Sequence, residues 1–266
     1  MKFAMTDYNE QFKTQWRKCR RHPKTPFDWS GRASTMHPEP FLENSYTRTF
    51  LEKVKLTDCR SVLDLGCGVG NLLIPLAMRL EQGWGVDYAS GMLEVAKKNA
   101  EFYGARNIDW IEADWRDVAQ VLPKADLVLA SRSVDAEDMQ AALTRLNELA
   151  KRRVCLTYRV GRCYLAESLL EAVGREVPPR PDHDLLMKIL EQMGLKASLD
   201  FIHTEKTSLY ESAEALRRRV EWTLGDLSAD EAKRLDGFYE ALPPEEDGTR
   251  RHEHAIVWAF IGWEVA

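Results

Sequence analysis

Asp64 stands two residues before the first of three closely spaced glycines, in the run Val62-Leu63-Asp64-Leu65-Gly66-Cys67-Gly68-Val69-Gly70-Asn71. An apolar, β-rich run leads into this bend and a helical pattern leads out of it. Glycines suit such a place because the backbone must turn tightly and let a ligand come close. The helix beyond offers unpaired N–H groups at the positive end of its dipole. Dinucleotide-binding loops space their glycines G-x-G-x-x-G, whereas this one reads G-x-G-x-G. A carboxylate set against the ligand repels a pyrophosphate and attracts a cation. The ligand implied carries a positive end, and nicotinamide-dependent oxidoreduction is disfavoured.

Further stretches follow in order. Asp87, in Gly85-Val86-Asp87-Tyr88-Ala89-Ser90-Gly91-Met92-Leu93, lies 21 residues after Gly66, about where a ribose-binding βαβ unit places its acidic acceptor. Ile111-Glu112-Ala113-Asp114-Trp115 and Leu127–Arg132 come next, and Phe27-Asp28-Trp29-Ser30-Gly31-Arg32-Ala33 precedes them all. Together these segments resemble the class I S-adenosylmethionine-dependent methyltransferases of small-molecule type, best between Trp29 and Met193. The resemblance implies S-adenosyl-L-methionine as cofactor, bound through Asp64, Gly66, Cys67 and Gly68. It implies Asp87 on the ribose hydroxyls with Tyr88 and Met92 beside it, Asp114 on the adenine amino group and Trp115 on its ring. Ser131 would lie below the transferred methyl, and Trp29 and Arg32 would close over the cofactor.

The acceptor is less constrained. Adenine- and amide-methylating members carry N/D-P-P-Y/F after the fourth strand, but this chain reads Ala130-Ser131-Arg132-Ser133-Val134-Asp135. That departure argues against those enzymes. Ligands of open α/β sheets bind beyond the carboxyl ends of the strands, which makes Ser131, Arg132, Asp135 and Tyr158 the catalytic candidates. Arg132 and Arg159 either hold an acidic substrate or pair with acids. Cys67, between glycines, reads as a packing residue. His252-Glu253-His254 puts two histidines on one strand face without the further ligands a metal needs, so no metal is expected. Arg217-Arg218-Arg219, with Glu211, Glu214 and Glu221 nearby, reads as a solvated helical face.

Placing these residues takes alternating strands and helices. Strands are expected at Ser61–Leu65, Gly83–Asp87, Ile108–Ala113, Asp126–Ser131, Val154–Arg159, Leu199–Thr204 and Ala255–Trp263. Leu72, Leu73, Leu76, Ala77 and Leu80 keep helical spacing, as do Met92, Val95, Ala96 and Asn99 through Tyr103. Further helices are expected at Ala136–Ala150, Asp182–Met193, Ser212–Leu224 and Ala229–Leu242. The fold class is therefore α/β: a Rossmann-like, seven-stranded, mostly parallel sheet with helices on both faces and the last strand antiparallel. Residues 1–50 form an N-terminal helical lid or cap, and residues 51–266 the methyltransferase domain, with a helical insertion at about 205–250.

The chain has 266 residues, 37 basic and 42 acidic, for a net charge of −5. That balance advertises no nucleic-acid or anionic-membrane partner. Five cysteines without a C-x-x-C pair suggest reduced thiols and a cytoplasmic setting. No run of about 18 apolar residues suggests a membrane span. A small-molecule or metabolite acceptor is expected. The alternatives are methylation of RNA or protein, docked on Lys13, Arg17, Lys18, Arg20, Arg21 and Lys24, or a catalytically silent cofactor-binding protein.

Overall fold

The computed structural model describes residues 6–19, 24–33, 36 and 44–265. Arg20 and Arg21 lie outside the described residues. Seven strands form one sheet: β1 (Ser61–Leu65), β2 (Gln82–Asp87), β3 (Ile108–Glu112), β4 (Ala125–Ser131), β5 (Ala150–Arg159), β6 (Ser198–Tyr210) and β7 (Arg250–Glu264). Their order is β3-β2-β1-β4-β5-β7-β6. β1 through β5 pair in parallel, and β7 runs antiparallel to both β5 and β6.

The five side chains of β1 are all buried, as a central parallel strand covered on both faces requires. One core joins Phe12 and Trp16 of α1 (Tyr8–Cys19) to Leu143 and Leu146 of α6 (Met139–Leu149) and to Leu186 and Leu190 of α8 (His183–Gln192). The opposite face joins Tyr46 and Phe50 of α3 (Ser45–Lys53), Leu73 and Leu76 of α4 (Leu73–Ala77) and Leu93 of α5 (Ser90–Tyr103) to Leu127, Leu129 and Phe260. The order in which successive strands are added to the sheet reverses between β1 and β4, which opens the crevice where such folds take ligands.

β6 and β7 are longer than the apolar pattern predicts. They remain paired as far as Tyr210 and Arg250, whereas β5 pairs with β7 only to Arg159 and Trp258. The outer half of this hairpin therefore projects past the carboxyl edge of the sheet. Its polar residues, among them Lys206, Ser208 and His252, hide it from an apolar-alternation reading. It carries α9 (Ala213–Leu224) and α10 (Ala229–Ala241), which pack with α7 (Glu167–Val173) around Leu216, Val220, Leu235, Leu169 and Val173. α4 stops at Ala77, short of Leu80. α7 and the separate helices α1, α2 (Pro26–Ala33) and α3 were not individually apparent from periodicity, because each is short or interrupted by polar residues.

Candidate cofactor and acceptor site

The glycine bend is pinned from two sides. Gly66 and Cys67 donate backbone N–H bonds to the Val86 carbonyl at 2.7 and 3.0 Å, and Asn99 of α5 donates to the Val69 carbonyl at 2.9 Å. Gly66 has φ +75°, and a Cβ there would lie 2.4 Å from that of Ser133. Only glycine meets both demands. Ser133 in turn donates from its hydroxyl to the Leu65 carbonyl, locking the end of β4 to the end of β1.

Asp64 is 2% exposed, and its Oδ1 is buried with no hydrogen-bond partner. Burial, with the nearby Asp87 charge, pushes its carboxyl up to about 7, against the pull of Arg132. An orphaned, buried carboxylate oxygen is costly, and an ammonium delivered by a ligand would relieve it. The donor chemistry thus fits the amino-acid end of S-adenosylmethionine. Asp87 accepts from Gly68 N at 2.9 Å and from Ala89 N at 3.0 Å. Burial raises its carboxyl above the usual range despite these bonds. Burial also drives the Cys67 thiol well upward, so it stays neutral and packs among Leu72, Leu129 and their neighbours.

Other expected cofactor residues divide. Met92 and Tyr88 gather with Val69, Ala33 and Trp29 in a small apolar cluster beside the bend. Asp114 lies two residues past β3 and grips Arg116 through both oxygens, at 2.7 and 2.8 Å. Burial opposes its ionisation, but those bonds outweigh it and hold the carboxyl low. Trp115 is 4% exposed and packs with Ala113 and Leu122 in the core.

The lid candidates lie on α2, which rests on α5. Ser30 Oγ accepts from Gly91 N at 3.2 Å, and a Cβ at Gly91 would come within 2.9 Å of Ser30 Cα. The Tyr88 hydroxyl donates to the Lys24 carbonyl at 3.3 Å. Trp29 meets Trp222 of α9 edge-on at 5.8 Å. Lys24 Nζ lies 4.3 Å, and Arg32 Cζ 5.3 Å, from the Trp222 ring centre. α2 and α9 thus meet above the carboxyl edge.

The catalytic candidates fall on opposite sides of β5. Ser131 Oγ and Thr157 Oγ1 lie 2.6 and 2.7 Å from the Tyr46 hydroxyl. Burial raises that hydroxyl's pKa, so it stays protonated. Arg132 is exposed, with φ +58°, and its Cζ lies 4.4 Å from the Tyr46 ring centre. A non-glycine residue there is uncommon, and such strain gathers at functional sites. Tyr158 instead points toward α1 and α8, donating to the Pro181 carbonyl at 3.1 Å. Asp135 pairs with Arg180 at 3.0 Å and accepts from Trp16 Nε1 at 3.2 Å. Arg159 donates to the Val257 carbonyl at 3.0 Å and lines a cleft of about 330 Å³ with His254 and Ser168.

His252 and His254 stack at 4.9 Å, and His252 Nε2 lies 3.0 Å from Ser168 Oγ. Burial pushes His254 down to about 4, helped by His252, Lys206 and Arg219. No group of three metal-ligating side chains occurs among the described residues. Within the arginine run, Arg217 pairs with Asp236 and Arg218 with Glu214, while Arg219 reaches Thr223 Oγ1 at 3.2 Å. Tyr46, Thr157, Lys206 and Trp222 escaped the sequence reading. Each lies in a segment with no motif, and only the fold brings them to the edge.

Residues 62–153 match the family model described as a methyltransferase domain. An uncharacterized protein of Haemophilus influenzae is 32% identical over 98% of this chain and 99% of its own length. The aklanonic acid methyltransferase DauC of Streptomyces sp. strain C5 is 42% identical over 27% of the chain and 34% of DauC. The 23S rRNA (uracil(1939)-C(5))-methyltransferase RlmD of Haemophilus parainfluenzae is 34% identical, but over only 27% of the chain and 17% of RlmD. Among solved structures, the YcgJ protein from Bacillus subtilis superposes with TM-score 0.55 at 16% identity, covering 83% of this chain and 97% of YcgJ. That likeness confirms the fold. Motif order, sheet topology and matched model agree, and the chain belongs to the class I S-adenosylmethionine-dependent methyltransferases.

Proposed function

We propose that the protein methylates a small-molecule acceptor held between the carboxyl edge of the sheet, α2 and α9. The observation that carries the cofactor's placement is the buried, unpartnered Oδ1 of Asp64. Asp64 takes the cofactor's ammonium, Asp87 the ribose hydroxyls, and Met92 and Tyr88 flank the base near Asp114. Gly66, Cys67 and Gly68 let the backbone approach. Trp29 and Arg32 close the site from α2.

When bound, S-adenosylmethionine supplies an electrophilic methyl on its sulfonium. The protein's share is positioning and exclusion of water. Ser131, Thr157 and Tyr46 form a linked hydroxyl group at the ends of β4 and β5 that orients whatever docks there. Asp135 is committed to Arg180 and Tyr158 to Pro181. These two stiffen the wall rather than serve as bases, which suits an acceptor atom nucleophilic without a strong base.

A compact acceptor is supported by the cap that α2 and α9 make above the edge. Docking of RNA on α1 is disfavoured because Lys13 is bonded to Asp138 and Glu10, and Arg17 to Glu137. Thermal unfolding with S-adenosylhomocysteine, compared with NADH, tests the cofactor assignment. Product at a hundred times its Kd should add about 2.7 kcal/mol of stability. Protection by NADH alone would overturn the reading.

A further inference from the structure

Five cationic side chains lie within one another's electrostatic reach or share the Trp222 ring. The charges of Arg32, Arg132 and Arg219 act on Lys206, and Lys24 and Arg32 lie over Trp222, which stands one turn from Arg219 on α9. Arg32 comes from α2, Arg132 from the end of β4, Lys206 from β6, Arg219 from α9 and Lys24 from the turn before α2. Lys206 sits opposite His254 in the projecting hairpin. It reaches solvent, yet surrounding protein desolvates it, and the charges of Arg219, Arg32 and Arg132 press its pKa down further. Burial and Arg219 lower that of Arg32 in the same way. Among the described residues, no carboxylate forms an ion pair with Arg132, Lys206 or Arg219. This contrasts with Arg217 and Arg218, the immediate neighbours of Arg219, which both have acids. A chain with net charge −5 has acids to spare. Like charges gathered at a partly desolvated surface repel, and a bound anion offsets the repulsion.

We infer that the methyl acceptor is a small acid whose carboxylate or phosphate is held by Arg132, Lys206 and Arg219 beneath the α2–α9 cap. The inference rests on the methyltransferase reading and names the acceptor class for that same site. Arg132 gives the link to the cofactor. It follows Ser131 at the end of β4 and lies over the Tyr46 ring. Its charge acts on both Asp64 and Lys206, so the acid it holds is on the cofactor's side of the sheet edge. Trp222, ringed by Lys24 and Arg32, supplies an apolar wall for the acceptor's body. His254, kept neutral at the edge of the cluster, adds no repulsion and can donate one hydrogen bond.

The test uses the full chain saturated with S-adenosylhomocysteine. Calorimetric titrations with inorganic phosphate, citrate and benzoate are compared with titrations of benzamide, the neutral counterpart of benzoate. At least one anion should bind while benzamide does not, and phosphate against the carboxylates identifies the headgroup. Lys206→Met and Arg219→Leu should each weaken that anion at least tenfold and leave the affinity for S-adenosylhomocysteine within twofold, which also shows that the variants fold. Absence of anion binding, an anion affinity untouched by both substitutions, or preferential binding of a single-stranded RNA oligonucleotide would each overturn the inference. Failure of S-adenosylhomocysteine itself to bind would instead overturn the methyltransferase reading beneath it.

Discussion

A carboxylate buried without a partner behaves as a reporter of whatever neutralises it. An unfolded aspartate titrates near 3.9, whereas burial brings Asp64 to about 7 in the folded protein. Between those values the native state holds the extra proton. Asp64's own contribution to the stability of the free protein therefore falls as pH rises from about 4 to 7 and levels off above 7. His254, lowered to about 4, contributes with the opposite sign, so the Asp64 part is read as the difference between the protein and its Asp64→Asn variant. Binding of an ammonium has the opposite dependence, since it needs the ionised form. Calorimetry should find the affinity for S-adenosylhomocysteine rising from pH 6 to 7, by up to about tenfold per unit, and then flattening. Asp64→Asn should bind weakly, with the slope gone; an unchanged slope would remove Asp64 from the site. Asp87→Ala strips the acceptor from Gly68 N and Ala89 N, at a cost of about 1–3 kcal/mol. Protection by S-adenosylhomocysteine in thermal unfolding should disappear in that variant, and full protection would contradict the ribose role.

At the scale of elements, the closeness of α2 to α5 governs closure. Gly91→Ala places a methyl 2.9 Å from Ser30 Cα, a backbone atom that cannot turn aside. α2 must then withdraw, taking Trp29 away from Trp222. The product should bind several-fold more weakly in Gly91→Ala, with tryptophan emission altered and the melting temperature little changed. Unaltered emission would mean that α2 stays docked. Elements of this kind mark where sequence reading reaches its limit. β1, β2 and β4 announce themselves because buried parallel strands are short, largely apolar runs, and Asp64 and Asp87 are legible from their distance to the glycines. α2 and α3 are not, since Pro26–Ala33 and Ser45–Lys53 bury only one or a few side chains each. Tyr46 and Lys206 become site residues solely because β5, β6 and α3 meet in space, a relation without any local signature. That Arg219, unlike Arg217 and Arg218, forms no ion pair with an acid among the described residues is equally invisible in an Arg-Arg-Arg run that reads as one solvated face.

The molecule as a whole divides its labour along the sheet. β1 to β4 hold the cofactor bend, while the projecting β6–β7 hairpin carries α9 and α10 as a cap. Tyr210 and Arg250 already face each other across the ladder, so residues 211–249 can be replaced by an Asn-Gly turn of the kind that closes two-residue hairpins. Such a shortened protein should keep its sheet by circular dichroism and still bind S-adenosylhomocysteine, but lose methyl transfer. Its melting temperature should drop, because Leu169, Leu170 and Val173 of α7 lose their cover. Abolished cofactor binding in a folded variant would show that the cap also builds the cofactor pocket.

β7 lies between β5 and β6 although it is made after both. A ribosome must therefore add about forty residues beyond Tyr210 before β6 has any strand to bond, an interval of roughly 2–8 s at ordinary elongation rates. Until then the growing polypeptide carries an unmatched ribbon beside a half-built nucleotide fold. Asp200, Glu205 and Lys206 punctuate that ribbon with charge, a known guard against sticking to other nascent chains. Lys206 is thereby placed for two uses: as a sentry during synthesis and, once the hairpin closes, as part of the acceptor grip we propose.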